Sequence, residues 1–103
     1  MRNLMLIAAI SVLLGGCTFT KLTPQGENVA VLQASEVGNC DRVTATTVNV
    51  TNKVVINRKP AQVALDLRTV ARNRAATLGG DTIVAMTQPT KGEQTFDVYR
   101  CRR

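Results

Sequence analysis

The chain has 103 residues, 45% of them hydrophobic, and carries 13 Lys+Arg against 7 Asp+Glu, a formal net charge of +6. It contains no histidine, which removes the commonest general base and metal ligand. Its aromatics are Phe19, Phe96 and Tyr99, too few for a platform that stacks single-stranded nucleic acid, and the length admits one small domain.

The first element is an export signal over residues 1–16. Arg2 gives a basic start, the stretch from Leu4 to Leu14 is apolar, and Gly15-Gly16 are small. The run is too short for a membrane span, which needs about 20 apolar residues. Leu14-Gly15-Gly16-Cys17 resembles the bacterial lipobox, in which the cysteine is acylated on sulfur and becomes the mature N-terminus. Thr18 follows where aspartate would favour retention at the inner membrane, so the expected location is the outer membrane, facing the periplasm. Loss of Arg2 with the signal leaves 12 Lys+Arg against 7 Asp+Glu, or +5, on 87 residues.

Residues 17–28 read as the acylated cysteine and a polar tether containing Pro24 and Gly26. The domain proper is expected over residues 29–103. Val29 to Leu32 suits a short first strand, and Ser35 to Asp41, with Gly38-Asn39, suits a turn. Arg42 to Thr51 is rich in β-branched residues and alternates, the clearest strand signal in the chain. Asn52 to Lys59 extends that hairpin or forms a loop; periodicity does not decide.

A helix is expected over about 60–78. Pro60 fits its first turn, and Gly79-Gly80 supply the left-handed stop. Val63, Leu67, Val70, Ala71, Ala75 and Leu78 form its apolar stripe. Thr82 to Thr87 reads as a buried strand, Gln88 to Gly92 as a turn, and Gln94 to Cys101 as the last strand. The order β-β-α-β-β gives an α+β fold: one helix packed on a small, mainly antiparallel sheet of about four strands.

With Cys17 acylated, Cys40 and Cys101 remain, in an oxidising compartment. A Cys40–Cys101 disulfide is expected, free thiols or a redox pair being the alternatives, and the absence of C-x-x-C spacing counts against the redox pair. Catalysis is not expected. Ser35 is the one serine left after the signal, without a base to activate it, and the carboxylates show no calcium-loop spacing. Neither a metal site nor a cofactor site is expected, since two cysteines without histidine do not hold zinc.

Three arginines are candidate anion or partner contacts: Arg68, Arg72 and Arg74. Arg68 and Arg72 fall one turn apart on the helix's outer side. Arg74 falls inside the apolar stripe, either burying its stem while the head escapes to water, or contacting a carboxylate such as Asp97 or an anion. Arg100-Cys101-Arg102-Arg103 reads as a solvated tail or as a basic patch.

Cys17-Thr18-Phe19, Lys21 to Gly26, Ala71-Arg72-Asn73, Leu78-Gly79-Gly80-Asp81-Thr82 and Gln94 to Cys101 together resemble the YjeI-type small lipoproteins of proteobacteria, a family of unknown function. The resemblance implies a lipoprotein with one disulfide and no known active site. More distantly the pattern is similar to the RcsF outer-membrane lipoproteins, which report envelope stress and carry a longer tether and two disulfides. The expected function is therefore a non-enzymatic interaction module in the periplasm, in envelope stress sensing or maintenance. It would be anchored in the membrane through Cys17, dock on an envelope protein, and have no nucleic-acid partner. The alternative is a basic binder of anionic lipid headgroups or cell-wall polymer.

Overall fold

The computed structural model describes residues 21–50 and 59–101. The lipobox, the signal and all but Lys59 of the undecided Asn52–Lys59 stretch lie outside them. The elements are β1 (Ala30–Val31), β2 (Asp41–Asn49), α1 (Pro60–Thr77), β3 (Thr82–Ala85) and β4 (Glu93–Arg100), with short 3-10 turns at Gly26–Asn28 and Ala34–Glu36. The fold is α+β, one helix on a four-stranded sheet, as the pattern of elements implied.

The sheet runs β1-β3-β4-β2. β2 and β3 flank β4 antiparallel, while β1 lies parallel to β3, pairing Ala30 with Thr82 and Val31 with Ile83. The sheet is thus mixed. β1 and β3 both start at the C-terminal end of α1, one fed by the segment bonded to that helix and the other by the turn that closes it, so they run in the same direction. β3 is buried at Thr82, Ile83 and Val84 as expected, but it ends at Ala85, and Ala85, Met86 and Thr87 are exposed where a buried strand to Thr87 was expected.

Two adjacent glycines close the helix for different reasons. Gly79 takes φ 85°, and the N–H groups of Gly79 and Gly80 donate to Ala76 O (3.3 Å) and Ala75 O (2.9 Å), the paired bonds of a Schellman motif. Gly80 is needed for space instead: a Cβ there would run into Val98 Cγ1 and lie 3.1 Å from Tyr99 O.

The helix-side core gathers Val63, Leu67, Ala71 and Ala75 of α1 with Val29, Val48, Ile83, Phe96 and Val98. Successive helix members are four residues apart, and at 3.6 residues per turn the seam advances about 40° with each step. That drift corrects the expected stripe. Arg74 and Leu78 each lie about 100° behind the seam where they occur, so Arg74 is exposed and Leu78 is a 40% exposed cap residue. Asp97 is held by Arg42 (3.1 Å) and not by Arg74.

The β3–β4 hairpin ends in a two-residue turn. Lys91 (φ 52°) and Gly92 (φ 73°) are both left-handed, and Glu93 N–H donates to Thr90 O at 3.0 Å, the pattern of a type I′ turn. A side chain in this region costs roughly 1 kcal/mol, and asparagine bears it better than lysine. Lys91→Asn is expected to raise stability by up to about 1 kcal/mol, a gain of about 4–8 °C in melting temperature at the upper limit. A melt that stays the same or falls would exclude this turn geometry.

Candidate docking groove and tether clamp

α1 and β3 are joined by a tight turn and run in opposite directions, which gives the domain two distinct ends. One end holds the last turns of α1, the starts of β1 and β3, the end of β4, and the Cys40–Cys101 disulfide (Cα–Cα 4.4 Å). The other holds the first half of α1, the ends of β1 and β3, and the β3–β4 hairpin.

At the disulfide end, the last turns of α1 grip the segment that precedes β1. Asn73 Oδ1 accepts from Thr23 N–H (2.9 Å) and Thr23 Oγ1 (3.1 Å), and Asn73 Nδ2 donates to Lys21 O (2.8 Å). Arg72 Nε donates to Val29 O (2.9 Å) and its Nη2 to Glu27 O (3.2 Å). Gly26 is buried beneath Asn73, where a Cβ would meet Asn73 Oδ1. Residues 21–28, which composition assigned to a tether, are therefore folded onto the helix.

The clamp was missed from sequence although one signal pointed to it. Asparagine is a poor helix former, and its place in an 18-residue helix implies a side chain engaged elsewhere. Asn73→Ala removes one acceptor and one donor from three hydrogen bonds. The Thr23 amide is expected to exchange at least about tenfold faster, with a stability loss of about 1–2 kcal/mol. Unchanged protection by hydrogen exchange would show that other contacts hold the segment.

At the opposite end lies an open groove of about 690 Å³. Its walls are Val31 of β1 with Leu32 and Gln33 beyond it, Ala64 and Arg68 of α1, and the stretch from Ala85 to Pro89, with Gln94 and Phe96 as further lining. The volume is in the range of small-ligand or side-chain pockets. Gln94 Nε2 donates to Thr87 O (2.8 Å), and Thr95 N–H donates to Thr87 Oγ1 (3.0 Å), pinning the hairpin that forms one wall. Val31 and Met86 are 39% and 53% exposed, and methionine suits a surface that adapts to its partner.

Among the described residues, Arg68 is the single charged one in the lining. Val31, Met86 and Phe96 offer apolar contact, Gln33, Thr87, Gln88 and Gln94 are polar, and Arg68 adds a positive charge. The three candidate arginines do not converge. Arg68 lines the groove, Arg72 ties down the segment before β1, and Arg74 is exposed near the C-terminal end of α1. The groove itself had no sequence signature, since its lining comes from separate stretches of chain.

Over residues 20–101 the chain matches a family model described as a domain of unknown function, DUF4156. No curated protein and no solved structure matches it.

Proposed function

The chain belongs to the DUF4156 family, a domain of unknown function, and from that premise we propose that it is a non-enzymatic interaction module of the bacterial envelope. In this reading Cys17 is acylated, the protein is anchored in the outer membrane facing the periplasm, and the groove receives a segment of another envelope protein. The lipobox-like Leu14-Gly15-Gly16-Cys17 and the following Thr18 support the anchor and its location. The Cys40–Cys101 bond is in keeping with an oxidising compartment. The likeness to YjeI-type lipoproteins, and the more distant one to RcsF, supports a part in envelope stress sensing or maintenance.

One observation carries the proposal: exposed Val31 and Met86 line, together with Arg68, a groove at the end remote from the tether. Its complement is a partner segment with an apolar side chain next to a carboxylate. The test is photocrosslinking in living cells from Met86 and Arg68, with Arg74 as control. A discrete protein adduct from both groove positions and not from the control is the expected result. Groove adducts to lipid or polymer alone would overturn this reading in favour of an anionic-ligand binder.

A further inference from the structure

We infer that the clamped end of the domain lies against an anionic bilayer, with lipid headgroups as the partners of Lys21, Arg74 and Arg100. The inference rests on acylation of Cys17 as proposed above. It goes beyond that reading by giving the domain a fixed orientation.

Covalent reach sets the distance. Asn73 holds Lys21 on α1 through its carbonyl, and only Thr18, Phe19 and Thr20 separate Lys21 from Cys17. Four Cα steps span at most about 14 Å, so the clamped end stays within that distance of an acyl anchor. The whole stretch from Thr18 to Asn28, left free, would reach about 36 Å. The hydrogen bonds to Asn73 and Arg72 therefore turn a loose tether into a short one.

Charge sets the kind of surface. Lys21, Arg74 and Arg100 are all exposed. Arg100 Nε donates to Gly79 O (3.0 Å), six residues past Asn73, so all three gather around the last turns of α1 and the glycine turn that closes it. Arg42, its side chain 54% exposed, is the second residue of β2 at this end and is paired with Asp97, so it adds nothing to the excess. Among the described residues, the exposed carboxylates here are Glu27 and Asp41. Asp81 is directed inward, its Oδ1 accepting from Cys101 N–H (2.8 Å) and Thr82 Oγ1 (2.9 Å), and Asp97 is paired with Arg42. The exposed excess is cationic, and the anchor confines it to within about 14 Å of a surface, a distance comparable to a Debye length of about 8–10 Å. An acyl chain plus a basic patch is the combination that seats a protein stably on a membrane.

The orientation places the groove outward. At 1.5 Å per residue, Ala64 and Arg68 stand about 14–20 Å further along the helix axis than Thr77. A partner would reach the groove without touching lipid.

The test uses the full mature lipoprotein purified from membranes, with the mass of its N-terminal peptide reporting the lipid on Cys17. A fluorescent amino acid is placed at Thr77, near the clamp, or at Met86, in the groove. The protein is reconstituted in phosphatidylcholine vesicles with or without about one-third phosphatidylglycerol, plus a headgroup-labelled quencher. Quenching at Thr77 at least about threefold that at Met86 is expected in anionic vesicles, falling toward the Met86 level in 0.5 M salt. The triple variant Lys21→Glu, Arg74→Glu, Arg100→Glu should show the same loss. The salt arm needs no variant, so a folding defect in the triple variant does not decide the outcome. Equal quenching at the two positions on a lipidated protein would overturn the orientation alone. An unlipidated Cys17 would overturn the anchored reading, and the orientation with it.

Discussion

Replacing Cys40 and Cys101 by alanine, or reducing the bond between them, is expected to lower the stability of the domain by about 4 kcal/mol. The two cysteines are 61 residues apart, and a loop of that length carries a large closure entropy in the unfolded chain. In the folded chain the bond continues an existing ladder. Cys40 precedes Asp41 and Cys101 follows Arg100, and these two residues are register partners. The native geometry is therefore set by β2 and β4, and the bond acts mainly on the unfolded state. Small domains have about 5–15 kcal/mol in total, so this loss is a large share of it. At about 4–8 °C per kcal/mol the melting temperature should fall by about 15–30 °C. Thermal unfolding with and without reductant reads it directly. A shift of only a few degrees would mean that the reduced chain keeps the two ends together by itself.

Phe96→Ala is expected to cost a similar amount, about 3–5 kcal/mol, by a different route. Phe96 is 1% exposed on a strand with neighbours on both sides, and belongs to the cluster beneath α1. Removing the ring leaves a void between layers that are held by their ladders and cannot close freely. Phe96 also lines the groove, so the same change reshapes the proposed docking site. Urea unfolding gives the number. A loss below about 1 kcal/mol would place the centre of the core elsewhere.

How much of this was legible in the sequence depended on how local each feature is. β2 was legible because alternation and β-branching act within the strand, and the helix end because Gly79 answers a local demand for positive φ. The disulfide came from counting cysteines once the lipobox claimed the first. Arg74 misled for a geometric reason: a wheel assumes a straight stripe, whereas the buried seam drifts around α1 from Val63 to Ala75. The parallel pairing of β1 with β3 joins segments about 50 residues apart through a two-residue strand, and no local pattern records it. The groove was invisible for the same reason.

The place of β4 has a consequence for how the chain is made. Of the four described strands it is the last in the sequence, yet it stands between β2 and β3. A nascent chain that has delivered β1, β2 and β3 has only the two-residue pairing of β1 with β3 available, and Cys40 still lacks its partner. Such a chain holds no sheet worth the entropy of forming it. For a polypeptide threaded N-terminus first through an export channel, as proposed, this keeps the segment in transit unfolded until β4 has passed. The sheet and its covalent bond then close together, from the C-terminal side.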